Sequence, residues 1–189
     1  MKILGIDPGY DRLGIAVLEK PDNKTDAKKY GGKNNQKKET LLFSSCFSTS
    51  KKETIYARLL KIGKEISTIL DEFTPDALAI ETLFITKNQK TAMRVSEARG
   101  IIMYEAIKRN IPVFEYSPMQ IKMAVTGDGS SDKIRITKMV RVLVSMKPLK
   151  TIGKKSEEAL FDDEYDAIAV ALTHAAMYRD IHSHSLLQK

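Results

Sequence analysis

Cysteine is almost missing from this chain: one residue, Cys46, in 189. A lone thiol excludes an internal disulfide and fits a reducing compartment. Flanked by Phe43 and Phe47, it reads as a core residue rather than a nucleophile. Long apolar runs are absent too. None approaches the ~20 residues that a bilayer-spanning helix needs. The first apolar stretch is short and is interrupted by Asp7, so it does not serve as an export signal. Together these absences describe a cytoplasmic protein that is not a membrane protein. Internal repeats are absent as well. Acidic charge is in deficit: 24 Asp and Glu against 31 Lys and Arg leave +7, a balance that suits a polyanionic partner. Part of the excess lies in residues 20–40, KPDNKTDAKKYGGKNNQKKET, with seven lysines and almost nothing apolar. Such a stretch is a solvated loop insertion. Hydrophobic residues make up 42%, enough for the core of one domain over residues 1–178, with 179–189 left as a C-terminal tail.

What is present is an alternating apolar pattern. Residues 2–7 and 13–18 read as two strands joined by a turn, and Leu41, Phe43 and Phe47 mark a third, an antiparallel opening. Ile55, Leu59, Ile62, Ile66, Ile69 and Leu70 keep helical spacing over about 53–72. Residues 76–81 (DALAIE) form a short strand, 89–109 a helix with Gly100 as a close-packing point, and 111–116 (IPVFEY) a fifth strand. A short helix from Pro118 to Val125 follows. Ser130 or Ser131 then caps a helix that buries Ile136, Val140, Leu143 and Val144 and turns Lys133, Arg135, Lys138 and Arg141 outward. A last helix covers about 160–178. The expected class is α/β: a mixed five-stranded sheet, an antiparallel meander followed by parallel strands, flanked by helices.

Two of these strands end in carboxylates, Asp7 and Glu81. Parallel neighbours would present both at one carboxyl edge, where open α/β sheets place their sites. Asp163 and Asp166 are three apart and share a helical face, with Cβ atoms roughly 5–6 Å apart. The alanines that follow, Ala167, Ala169 and Ala171, let that helix lie close to a sheet. Each acid has an ordinary use as well: a turn residue, a strand-end charge, or helix-dipole acids. Converged, however, they repel and are costly to desolvate unless a cation joins them. Mg²⁺ is held by a few carboxylates with waters and phosphate oxygens, and two ions about 3.5–4 Å apart support phosphodiester hydrolysis. With a basic surface, this favours a metal-dependent nuclease.

Four collinear segments carry a resemblance: ILGIDPGYDRLGIAV (3–17), PDALAIETLFITKN (75–88), ARGIIMYEAIKRNIPVFEYSPMQIKMAVTGDGSSDK (98–133) and DEYDAIAVALTHA (163–175). Together they resemble the RuvC family of bacterial Holliday-junction resolvases. The resemblance implies an RNase H-like fold and an endonuclease of recombination and repair. It would cut four-way DNA junctions by paired symmetric nicks, as a homodimer, with two Mg²⁺ per active site, Mn²⁺ able to substitute, and 5′-phosphate products. It implies Asp7, Glu81, Asp163 and Asp166 as metal-binding catalytic acids and Lys133 as a further catalytic residue. It also implies Phe84, Lys87, Asn88, Lys122 and Lys133 as DNA contacts, Phe84 by stacking on a base. The RuvA–RuvB branch-migration complex is the implied partner.

The chain departs from the family pattern in its first turn, where Tyr10 and Leu13 replace the usual hydroxyl residues. The connection over 147–162 is longer than usual, which leaves Asp162 as an alternative to Asp163. His174, eight residues after Asp166, reads as a packed structural histidine. A YqgF-like RNA-processing nuclease shares the opening motif but lacks the middle block. A two-domain sugar-kinase or actin-like ATPase does not fit the length. A catalytically weak junction-binding protein stays open as an alternative.

Overall fold

The apolar stretch at the start of the chain becomes an inner strand, third in order, of a sheet whose two faces are built from different side chains. A computed structural model describes residues 1–21, 38–83, 89–146 and 160–178. Its elements in chain order are β1 (Lys2–Asp7), β2 (Arg12–Glu19), β3 (Glu39–Ser48), α1 (Ile55–Phe73), β4 (Ala77–Glu81), α2 (Gln89–Ile107), β5 (Val113–Tyr116), α3 (Pro118–Thr126), α4 (Lys133–Leu143), β6 (Val144–Ser145) and α5 (Asp162–Met177). The sheet runs β5-β4-β1-β2-β3-β6. β1, β2 and β3 form the expected antiparallel meander, and β4 and β5 add in parallel to β1.

The sheet has six strands among the described residues, not five. Val144 leaves α4 and pairs with Glu39, extending the β3 edge by a two-residue parallel strand. The β-branched, buried Val144 thus ends the helix instead of continuing its apolar face. Two smaller expectations also change. Asp132 caps α4, accepting from the Arg135 amide at 2.8 Å, while Ser131 is buried against the Thr126 hydroxyl at 2.7 Å. Gly100 has open space where a Cβ would be, so it is not a packing point. The 20–40 insertion lies outside the described residues over 22–37, as does the 179–189 tail.

Strand period decides which layer each residue meets. Leu4, Ile6, Leu13, Ile15, Val17, Leu78 and Ile80 point to one face, against Ile62, Ile66, Ile69 and Leu70 of α1 and Ala98, Ile102 and Ala106 of α2. The opposite face carries α5, with α3 and α4 beside it. There the row across β4, β1 and β2 is Ala79, Gly5 and Ala16. Gly5 is obligatory: a Cβ on it would stand 2.3 Å from the Ala167 carbonyl oxygen and 2.7 Å from the Ala171 Cβ. Small residues on both sides let α5 press directly on the strands.

α5 begins where acidic residues favour a helix start. Asp162, Asp163 and Glu164 fill its first turn. The buried Glu164 carboxylate accepts the Phe161 amide at 2.8 Å. From there the helix is apolar nearly all round, with Ala167 to Ala175 buried. Among the described residues no helix is long and apolar enough to cross a membrane.

Candidate active site

Alternation that sends Leu4 and Ile6 to α1 and α2 sends Ile3, Gly5 and Asp7 to α5. In β4 the same alternation aims Ala79 and Glu81 to that side. Ile6 pairs with Ile80 in parallel register, so Asp7 and Glu81 end adjacent strands at one edge. On the other side of Asp7 stands Gly14, its antiparallel partner. A Cβ at Gly14 would lie 2.1 Å from the Asp163 carbonyl oxygen. That missing side chain is what allows the first turn of α5 to sit over Asp7.

The result is a convergence of carboxylates. Burial, then the charges of Glu81, Asp166 and Asp163, push the Asp7 carboxyl up from 3.8 to about 7, with Lys133 partly opposing. Burial also raises Glu81, as does Asp166, while a hydrogen bond from Asp7 and the charge of Lys122 pull it back. Asp7 and Glu81 are thus linked by a hydrogen bond across the strand ends. Asp166 is raised by burial against the pull of Lys133.

The two helix acids are neutralised differently. Asp166 binds the Lys133 ammonium at 2.9 Å. Burial opposes the Lys133 charge, yet Asp166, Asp162 and Asp163 together raise its pKa. Asp163 pairs with the Arg12 guanidinium and accepts from the Cys46 thiol at 3.5 Å. Asp162, the alternative, is 76% exposed and lies 3.6 Å from Lys133; Asp163 is 25% exposed and bears on Asp7. The geometry therefore joins Asp163, not Asp162, to the strand acids.

Among the described residues no three His, Cys, Asp or Glu side chains stand ready at ligand spacing. Arg12 and Lys133 hold compensating charge. The donor set nonetheless fits a hard divalent cation. It is carboxylate oxygen around a half-buried edge, where burial and mutual repulsion push the Asp7 carboxyl up, the penalty that a bound cation relieves. Asp7, Glu81, Asp163 and Asp166 are the residues that could hold such an ion.

Lys122 and Lys133, from α3 and α4, line a cavity of about 230 Å³ with Glu81, Asp166, Pro118 and Ile136. α3 is held by a reciprocal cap: the Ser117 hydroxyl accepts from the Gln120 amide and the Gln120 side chain from the Ser117 amide. Phe84, Lys87 and Asn88 lie outside the described residues.

The unusual first turn has its own support. Leu13 is buried in the α1/α2 core, and the Tyr10 ring lies 3.6 Å beneath the Arg58 guanidinium. Arg58, 5% exposed, donates to the Thr49 hydroxyl at 2.8 Å and the Tyr10 carbonyl at 3.2 Å, and pairs with Asp11. Sequence reasoning missed Arg58, although a signal existed: it stands between Ile55 and Ile62 on the apolar stripe of α1. It also missed Arg12 and misplaced Cys46, which is half-buried at the site instead of in the core. Cys46 is the cross-strand partner of Gly14, so it shares the acid face. His174 is a packed residue as expected. Its Nδ1 meets the Tyr116 hydroxyl at 2.8 Å, its ring lies 4.4 Å from Phe114, and burial lowers its pKa from 6.5 to about 4.

Nearly the whole chain is similar to known proteins. The sequence profile of the crossover junction endodeoxyribonuclease RuvC matches residues 3–174. A crossover junction endodeoxyribonuclease RuvC of Thermosipho melanesiensis is 40% identical over 171 residues, 90% of this chain and 94% of its own. That of Finegoldia magna is 40% identical over 174 residues, 92% of each. The Thermus thermophilus RuvC structure superposes with a TM-score of 0.72 at 32% identity, covering 93% of both chains. T. thermophilus RuvC in complex with Holliday junction substrate gives 0.75 at 30% identity, again over 93% of both. The fold is thus of the RNase H-like α/β class expected.

Proposed function

The chain belongs to the RuvC family of crossover junction endodeoxyribonucleases, and from that premise we propose that it resolves four-way DNA junctions by paired, Mg²⁺-dependent nicks. What carries the reading is the convergence of Asp7, Glu81, Asp163 and Asp166, from two strands and a helix, around a dehydrated edge beside Lys122 and Lys133. Asp7 and Glu81, with Asp163 and Asp166, would hold two Mg²⁺ ions, which supply an activated water and neutralise the leaving oxygen when bound. The chain's own residues do the rest. Asp7, raised by burial and by its acidic neighbours, would face such an ion as the carboxylate. Lys133 neutralises phosphate charge, and Lys122 holds the strand backbone. Pro118, Ile121 and Ile136 form an apolar wall that limits water around the scissile bond. Phe84 stacks on a base near the crossover, with Lys87 and Asn88 on the backbone.

Two symmetric nicks on two strands of like polarity require two sites, and a homodimer supplies them. Exposed apolar residues on α1 and α2 support this reading: Tyr56, Leu60, Met93, Tyr104 and Ile107 are each more than half exposed.

The test is cleavage of a four-way junction, a matched duplex and an RNA/DNA hybrid, with and without Mg²⁺. Paired nicks confined to the junction and absent without the ion are expected. Efficient cutting of the hybrid, or junction binding with no nicking, would overturn the proposal.

A further inference from the structure

The cavity beside Lys122 and Lys133 has a counterpart on the other flank of the acids that the resolvase chemistry leaves without a role. It is an open hollow of about 460 Å³, lined by Gly9, Tyr10, Arg12, Thr91, Arg94 and Val95 together with Asp11. The strand order β4-β1-β2 sets the layout. Glu81, with Lys122 near it, ends β4; Asp7 ends β1; Arg12 begins β2. Asp7 therefore stands between two basic flanks, and a DNA strand crossing the acids would pass over both.

The charges of the second hollow favour an anion. Asp11 is already neutralised from behind by Arg58 and by Lys51 at 3.4 Å. Arg94 has an ion-pair partner in Glu97 at 3.0 Å, and its side chain is still 38% exposed. Arg12 is half exposed. It spans Asp163 and the Cys46 thiol, with its guanidinium 5.6 Å from the Phe161 ring. Counting those groups, Arg12, Arg94, Arg58 and Lys51 face Asp11, Glu97 and Asp163, which leaves one positive charge in surplus. Arg12 also has two possible partners. It neutralises Asp163 here, and it is free for a phosphate whenever that carboxylate is neutralised by another cation.

We propose that Arg12 and Arg94 form a second phosphodiester subsite, which takes a backbone phosphate of the cut strand on the flank of Asp7 away from Lys122 and Lys133. The inference rests on the resolvase reading. A guanidinium suits the task because its planar donor fork matches phosphate oxygens. Tyr10, clamped under Arg58, and the turn at Gly9 give the hollow a fixed wall.

The test is the salt dependence of four-way junction binding by the full chain, with Ca²⁺ in place of Mg²⁺ to hold back cleavage. Each lost phosphate contact makes the slope of log K against log salt shallower by about 0.9. Arg12→Gln and Arg94→Gln should each show that change, the double variant about twice it, and Arg12→Lys should keep the native slope. Ca²⁺ half-saturation is measured alongside. Native slopes in both single variants, or a change in only one of them, would overturn the subsite. So would a native slope in Arg12→Gln with altered Ca²⁺ half-saturation, because Arg12 would then serve only as the partner of Asp163. Failure of the native chain to bind the junction would instead remove the resolvase reading, and the subsite with it.

Discussion

One sheet presents two unlike faces, and the site exists because of the difference. Toward α1 and α2 the central strands carry Leu4, Ile6, Leu13, Ile15, Val17, Leu78 and Ile80, all buried. Toward α5 the matching rows are Ala79, Gly5 and Ala16, then Glu81, Asp7 and Gly14. The first face gives stability through buried area, at about 25 cal/mol per Å². The second surrenders bulk so that a helix backbone can come within touch of the strands. That approach brings Asp163 and Asp166 to two strand carboxylates. The lesson is that one face is built to fold and the other to bring charges together that folding alone would keep apart.

Substitutions on each face can break this division. Asp7→Asn, on the close face, should lower junction cleavage by about 10³-fold, a loss of roughly 4 kcal/mol of transition-state stabilisation, with the fold and junction binding intact. Gel assays of nicking and binding check it. Ile15→Ala, on the bulky face, should do the reverse. Denaturant titration should show a stability loss of about 2–5 kcal/mol, with cleavage per folded molecule near native. Gly14→Ala is intermediate. Its Cβ meets the Asp163 carbonyl, so α5 must shift, at about 1–3 kcal/mol by denaturant titration and with a fall in cleavage that the same loss elsewhere would not give.

The smallest expected effect concerns His174, on α5 but away from the acids. Its pKa falls from 6.5 unfolded to about 4 folded, so its neutral form is favoured in the fold. The stability this gives is whole above pH 6.5 and is lost as pH falls toward 4. His174→Phe should flatten that acid limb in thermal melts and leave nicking at neutral pH unchanged.

Much of this was legible in the sequence. Strand alternation and helical spacing located the elements to within a few residues, and the carboxylates at the ends of β1 and β4 announced an edge site. The spacing of Asp163 and Asp166 showed a shared helical face. What escaped were features that depend on pairing across the sheet. Register alone shows that Gly14 lies beside Asp7 with Cys46 one strand further on, and only the packing of α5 brings Asp163 to Arg12. The sixth strand escaped because two residues carry no period. Arg58 was hidden by the habit of assigning arginine to the surface, although its place on the apolar stripe of α1 marked it.

The central claim is that the close face gathers carboxylates whose repulsion a divalent cation relieves. Asp7 goes from 3.8 unfolded to about 7 folded, so its contribution to stability is whole below pH 3.8 and is lost as pH rises through about 7. The span corresponds to up to about 4 kcal/mol. Thermal melts of the native chain and Asp7→Asn, across that range with and without Mg²⁺, test the claim directly. Relative to Asp7→Asn, which keeps the His174, Glu81 and Asp166 contributions, the native protein should lose stability between about pH 4 and pH 7, and Mg²⁺ should restore that difference above about pH 7. Native melts that are indifferent to Mg²⁺ at every pH, or an Asp7→Asn profile that matches the native one, would contradict it.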